Sequence, residues 1–278
     1  MPNTLTGAQA AAAIYAQVRA HAALLDAPPC LAAVSVGAQP DDQAYLRSIA
    51  QAAEGCGVAV RPVPLPADCA PETLTDTLCA LSADGAVHGV LLLRPLPAAL
   101  RAQEILDTLD ARKDVDGMTT RSLGALVTGA AGFAPCTAEA CMELLRAHGI
   151  DPAGRRVTVV GRSLVIGRPA ALLLTRADAT VTLCHRKTPD LAARCRDADI
   201  LLAAAGAPGL ITRDFVRPGQ IVLDAGATAL PDGTLRGDVA PDAAAIAVCT
   251  PVPGGIGSVT TALLLRHTVQ AAENLRHF

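Results

Sequence analysis

VTVVGRSLVIGRPAALLL spans residues 157–174. It opens on apolar and β-branched residues, passes through two glycines, and closes on an apolar run led by Pro169, which reads as strand, turn and helix. Gly161 permits a tight turn after the strand. Gly167 permits either close packing or the close approach of a ligand. Pro169 suits a first helical turn, whose spare N–H groups and dipole favour an anion. The pattern is G-x-S-x-x-x-G-x-P rather than GxGxxG, and a glycine turn alone is weak evidence for a ligand. Its surroundings decide.

Downstream, ATVTLCH, ADILLAAAG and QIVLDAGA read as further strands, with a helix over RPAALLLTRA. Upstream lies a second series. CLAAVSVG (30–37) and GVAVRPVPL (57–65) read as strands around a helix carrying Tyr45, and GAVHGVLLLRPLP (85–97) as a strand halted by Pro95 and Pro97. Strands alternating with helices predict parallel sheets of the α/β class, and two series predict two α/β domains. The boundary is expected in the helix TAEACMELLRAHG (137–149), and the last helix, TTALLLRHTVQAAENL, is expected to pack back. The first helix takes Thr6 or Thr4 as its cap.

In NAD binders the second strand usually ends in an acid that bonds the ribose 2′-hydroxyl. Here it ends in His185, Arg186 and Lys187. With Arg162 in the first turn, this suits a 2′-phosphate and hence NADP; the other reading is a solvated basic loop. The next two strands end in AAAGAPGLI (203–211) and DAGAT (224–228), where Gly206, with Pro208 beside it, lets backbone approach a cofactor. TPVPGGIGSVT (250–260) is too stiff and bare for a plain connection.

The 278 residues carry a net charge of −3 and 51% hydrophobic residues, much of it alanine. No apolar run reaches the roughly 18 residues of a spanning helix, and the N-terminus lacks the basic lead of a signal peptide. No basic patch supports nucleic-acid binding. Nine cysteines, an odd number without CxxC, point to reduced thiols in a cytoplasm, not a disulfide scaffold. Cys136 and Cys141, the closest pair, lack histidines at ligand spacing, so no metal is expected.

AYLRS, PLP after a strand, KDVDG, PCT, GRSLVIGRP, CHRKT, GAPG and TPVPGGIGSVT occur in that order along nearly the whole chain. In this the chain resembles the methylenetetrahydrofolate dehydrogenase/cyclohydrolase family. The resemblance implies a folate domain over 1–140 with the helix 260–278 packing back, a Rossmann-like NADP domain over 141–259, a cleft between them, and a homodimer. It implies that Tyr45 stacks on the pterin, that Asp116 binds the pterin's amino edge, and that Pro253 and Gly254 make folate contacts. Cys136, Thr137, Arg162, Ser163, Gly257 and Thr260 match positions near the cofactor. Asp116 also has a purely structural reading, as the cap of its own turn.

Two positions depart from the family pattern. Four residues after Tyr45 the family has lysine, and this chain has Ile49; two residues before PLP it has glutamine, and this chain has Leu93. Arg94 stands where leucine is usual, and Ser258 where proline is. Loss of both polar partners together avoids burying one without the other. The sequence thus predicts an NADP-linked dehydrogenase with little cyclohydrolase activity. The alternatives are a repurposed member acting on a folate-bound one-carbon unit or another imine-like substrate, and a non-catalytic folate or NADP binder.

Overall fold

The computed structural model describes residues 4–37, 40–230 and 232–276, without the side chains of Pro40 and Asp41. The chain forms two compact units, one of Ala13–Cys136 and Thr261–Phe278, the other of Met1–Ala12 and Thr137–Thr260. Its elements begin with α1 (Ala8–Ala22), β1 (Cys30–Val36), α2 (Pro40–Glu54), β2 (Ala59–Leu65), α3 (Pro71–Ala83) and β3 (Gly89–Leu92). They continue with α4 (Gln103–Leu106), α5 (Thr120–Thr128), α6 (Cys136–Ala147), β4 (Arg156–Val160), α7 (Gly167–Arg176), β5 (Thr180–Cys184), α8 (Leu191–Asp197) and β6 (Ile200–Ala203). The last are β7 (Ile221–Asp224), β8 (Thr228–Ala229), β9 (Leu235–Arg236), α9 (Pro241–Ala244), β10 (Val248–Cys249) and α10 (Ile256–Leu275).

The unit of Ala13–Cys136 and Thr261–Phe278 is built on a parallel sheet of order β2-β1-β3. The central strand β1 buries Leu31, Ala32, Ala33 and Val34 completely, as a parallel strand covered on both faces must. β2 carries Pro62 and Pro64, which cannot donate to a ladder, and it lies at the edge. On α2, Ile49 and Ala53 stand one turn apart and are both buried, and Cys56 in the turn that follows is buried as well. Tyr45 extends that face one turn toward the helix start and is 38% exposed.

The second unit holds a five-stranded parallel sheet of order β10-β7-β6-β4-β5. β4 lies between β6 and β5, so the chain reverses direction across the sheet at this strand, where open α/β sheets take ligands. The pairings Val160↔Cys184, Val160↔Ala203 and Ala203↔Asp224 align the carboxyl ends of four strands.

The expected elements are present, with two shifts. α10 starts at Ile256, inside the glycine-rich loop, so Gly257 and Thr260 lie in its first turn; residues 277 and 278 of the expected helix tail lie outside the described residues. At the other terminus, Thr4 forms a parallel bridge with Cys249 and the Thr6 carbonyl accepts a bond from His148. Helix α1 starts beyond both, with the Gly7 carbonyl accepting from the Ala11 N–H.

Candidate active site

The turn after β4 is shaped by its two glycines. Gly161 has φ +126°, and a Cβ there would collide with the Ala204 carbonyl. A Cβ on Gly167 would collide with the Gly161 carbonyl. Of the two readings of Gly167, close packing is the one the backbone requires. The Ser163 hydroxyl accepts from the Ile166 N–H at 3.1 Å and its carbonyl from the Arg168 N–H at 3.1 Å, which leads the turn into α7. Arg162 and Ser163 are exposed.

The neighbouring turn after β5 is tied by its own residues. The Thr188 hydroxyl accepts from the His185 N–H at 2.9 Å, the His185 carbonyl accepts from the Thr188 N–H at 2.8 Å, and His185 Nδ1 accepts from the Lys187 N–H at 3.2 Å. His185 is half-buried by this role, and Arg186 and Lys187 stand exposed at the tip. The Gly161 N–H donates to the Cys184 carbonyl at 2.9 Å, so the basic tip and the glycine turn leave adjacent strands side by side. Gly206, in the loop after β6, has φ +63° and open space where a side chain would stand; Pro208 follows in the same loop. The residues around the strand ends therefore fit a dinucleotide: a bare turn, an open loop, exposed cations and no acid at the end of β5. The loop before α10 is fixed from the N-terminus, with the Leu5 N–H donating to the Cys249 carbonyl at 2.8 Å and the Gly7 N–H to the Gly254 carbonyl at 2.9 Å. Pro253 and Gly254 lie exposed on it.

In the other unit KDVDG divides its acids by role. Asp114 is buried and accepts from the Met118 N–H (3.0 Å), the Thr119 N–H (2.7 Å) and the Ser122 hydroxyl (2.6 Å). Lys113 is structural too, donating to the carbonyls of Leu81 and Asp84. Asp114 rather than Asp116 holds the turn. Asp116 is pushed up to about 6, first by burial, then by the Asp114 charge, while Arg94 and His267 pull the other way.

The Cys136 thiol lies within hydrogen-bonding reach of the Asp116 carboxylate and donates to the Val115 carbonyl at 3.3 Å. Cys136 ends the first segment of this unit, and Thr137 begins the second segment of the other. His267 Nδ1 lies 2.8 Å from the same Val115 carbonyl, and the ring packs on Phe133 with centroids 4.8 Å apart. Burial pushes the Tyr45 phenol above its usual range, the Asp116 charge adds to this, and a hydrogen bond with Thr261 opposes it. Tyr45 therefore remains a phenol.

Ile49 has no exposed surface and Leu93 has 7%. The Leu93 N–H donates to the Val34 carbonyl at 2.9 Å, continuing the ladder beyond β3, and the next residue, Arg94, faces out. Leu93 is buried and Arg94 exposed where the chain leaves β3, and Arg94 reaches Asp116 through its charge. Sequence reasoning missed Thr261 and His267, because both stand in an apolar helical run with no local signal.

Family models match both units: Tetrahydrofolate dehydrogenase/cyclohydrolase, catalytic domain, over residues 5–116, and Tetrahydrofolate dehydrogenase/cyclohydrolase, NAD(P)-binding domain, over residues 135–276. This chain belongs to the tetrahydrofolate dehydrogenase/cyclohydrolase family. Similar members include the bifunctional protein FolD of Chloroflexus aurantiacus, 47% identical over 94% of this chain and 91% of that one. The crystal structure of the Campylobacter jejuni bifunctional enzyme FolD superposes with a TM-score of 0.93 at 37% identity, covering 98% of this chain and 99% of that one. A Trypanosoma brucei dehydrogenase-cyclohydrolase, solved with NADP cofactor and an inhibitor, has a TM-score of 0.92 at 35% identity, covering 99% and 98%. The 135–276 unit is accordingly the NAD(P)-binding domain of a family of folate-linked oxidoreductases. Among the described residues, no helix is long and apolar enough to cross a membrane, and no cluster of His, Cys, Asp and Glu could hold a metal ion.

Two predictions attach to these positions. If Asp116 accepts two pterin N–H bonds, it must be ionised to do so, and folate affinity is then expected to fall as pH drops through about 6. Asp116→Asn should weaken folate binding and remove that dependence; titrations across this range that find the variant unchanged would leave Asp116 a structural role only. The second concerns Ile49→Lys, which places an ammonium in a fully enclosed position. It is expected to cost about 3 kcal/mol or more of stability, read as a lowered Tm in thermal unfolding.

Proposed function

We propose that the protein oxidises 5,10-methylenetetrahydrofolate to the methenyl cation with NADP, and that its cyclohydrolase step is lost or weak. The observation that carries this reading is the complete burial of Ile49 beside a surviving Tyr45 and Asp116, with Leu93 buried as well. Tyr45, 38% exposed, offers an aromatic ring for stacking, and Asp116 offers a carboxylate for the pterin's amino edge. Arg162, Arg186 and Lys187 supply cations for a 2′-phosphate, Gly161 and Gly167 let the turn close on itself, and Gly206 leaves room for backbone approach. NADP, when bound, supplies the hydride acceptor. What this chain contributes to that transfer is placement of the reacting carbons.

Hydrolysis of the methenyl cation makes a different demand, because a group of suitable pKa must move protons. Ile49 and Leu93 have no titratable group. Arg94 offers only N–H donors and no acceptor for a proton, and the Tyr45 phenol is raised out of range. Asp116 titrates near 6 but is engaged once it accepts the pterin's N–H groups. The test is paired: a hydride-transfer assay with NADP and methylenetetrahydrofolate, and a hydrolysis assay on methenyltetrahydrofolate. Transfer without hydrolysis is expected; absence of both would overturn the reading. A homodimer, implied by the family resemblance, is proposed with it and is checked by light scattering in solution.

Arg94 supports a second reading. An exposed cation in the field of Asp116 suits a pocket re-specified for another imine-like or one-carbon-bearing folate. Turnover of such a compound, with none of methylenetetrahydrofolate, would favour it.

A further inference from the structure

Asp238 is fully buried and plays no part in the scheme above. Its Oδ2 accepts from the Ala205 N–H at 2.6 Å and the Gly206 N–H at 3.1 Å, and its Oδ1 from the Ala207 N–H at 2.7 Å. Three consecutive backbone N–H groups turned to one side form the concavity with which loops hold phosphates. Here the protein's own carboxylate fills it.

We propose that Asp238 is a positioning residue that presets the loop 204–209, so that this loop meets an uncharged surface of the dinucleotide and leaves the phosphates to other groups. The proposal rests on the reading that NADP binds at the carboxyl ends of these strands.

Asp238 is itself held by a second buried acid. Asp224, the last residue of β7, accepts from the Asp238 N–H at 2.9 Å, the Gly226 N–H at 3.0 Å and the Val239 N–H at 2.9 Å. Two buried carboxylates thus share six backbone donors, and each charge is compensated by amide dipoles at charge-assisted strength. The packing leaves no slack: a Cβ on Gly226 would run into Asp238, and one on Gly237 into Asp224. The far end of the loop is tied to the same segment, with the Gly209 N–H donating to the Gly237 carbonyl at 3.1 Å and the Ile211 N–H to the Asp238 carbonyl at 2.9 Å.

The geometry assigns different tasks to the strand ends. With the amides of 205–207 turned inward, no anion can compete for them without displacing Asp238. Anion binding falls to the turn at 161–167 and to the tip at 186–187, where exposed arginines and a lysine stand. The loop presents Gly206 and Gly209, both at positive φ with open space beside them, as a bare surface for close contact.

The test is Asp238→Asn, nearly the same shape, in which the amide nitrogen must face a backbone N–H. NADP and NAD affinities are each expected to fall about tenfold, by the same factor, because a donor now opposes a donor. The NADP/NAD ratio and folate affinity should stay as in the wild type, and the loss should appear in the KM for cofactor more than in kcat. Gly206→Ala provides a second route that leaves the carboxylate untouched: it strains a left-handed position and should also weaken both cofactors. If Asp238→Asn does not fold by circular dichroism, Gly206→Ala decides alone. Folded variants that bind NADP like the wild type would overturn the proposal, as would a changed NADP/NAD ratio in Asp238→Asn. A wild-type protein that fails to bind NADP would overturn the proposed function, and the proposal with it.

Discussion

Enzyme-dependent hydrolysis of methenyltetrahydrofolate is expected to be absent or lower by about 10²–10⁴, the usual cost of a missing positioned acid or base. The methenyl cation reacts with water unaided, so the measurement is its decay with and without enzyme in a non-nucleophilic buffer. Robust enzyme-dependent decay would show that Arg94, Ser48 or another group has taken over. Restoration is a harder test. Ile49 belongs to the packed face of α2 with Ala53, so Ile49→Lys alone brings a charge into the core without a partner. Ile49→Lys with Leu93→Gln supplies one, and hydrolysis should rise if the rest of the site is intact. A double variant that folds and binds both ligands yet gains nothing would mean that the pocket has diverged beyond these two positions, and the re-specified pocket becomes the better reading.

NADP is expected to bind about tenfold to a hundredfold more tightly than NAD, the worth of one good charge-assisted contact. The cations are placed by the backbone: the turn 185–188 closes on its own hydrogen bonds and holds Arg186 and Lys187 at its tip, beside the turn that carries Arg162. Arg186→Ala should reduce NADP affinity and leave NAD affinity nearly unchanged, which separates it from Asp238→Asn, where both should fall together. Dissociation constants favouring NAD, or an Arg186→Ala variant with unaltered NADP affinity while Arg162 is also dispensable, would refute this specificity. The preference should weaken with added salt, since the contact is exposed and ionic.

The α/β class, the two series of strands, the glycine turn and the basic end of β5 were legible in the sequence because each is local. Strand runs, turn glycines and a charged tip are set by residues within a few positions of one another. KDVDG was legible as a motif, but which acid caps and which remains for a ligand was not. Asp114 takes the role by facing the start of α5, and Asp116 owes its raised pKa to burial and the Asp114 charge, opposed by Arg94, Cys136 and His267, groups distant in the chain. That Ile49 and Leu93 are apolar is a fact of sequence; that Ile49 is sealed in the core follows from the packing of α2, and Leu93 is buried while Arg94 is exposed where the chain leaves β3. Asp238 gave no signal at all, because its three donors lie more than thirty residues away and converge only when the loops after β6 and β9 meet. Sequence by itself determined the elements and the residue types available for folate and NADP. The tertiary structure decided which of those groups are spent on holding the backbone and which still face outward, since burial and hydrogen-bond satisfaction depend on neighbours that only folding supplies.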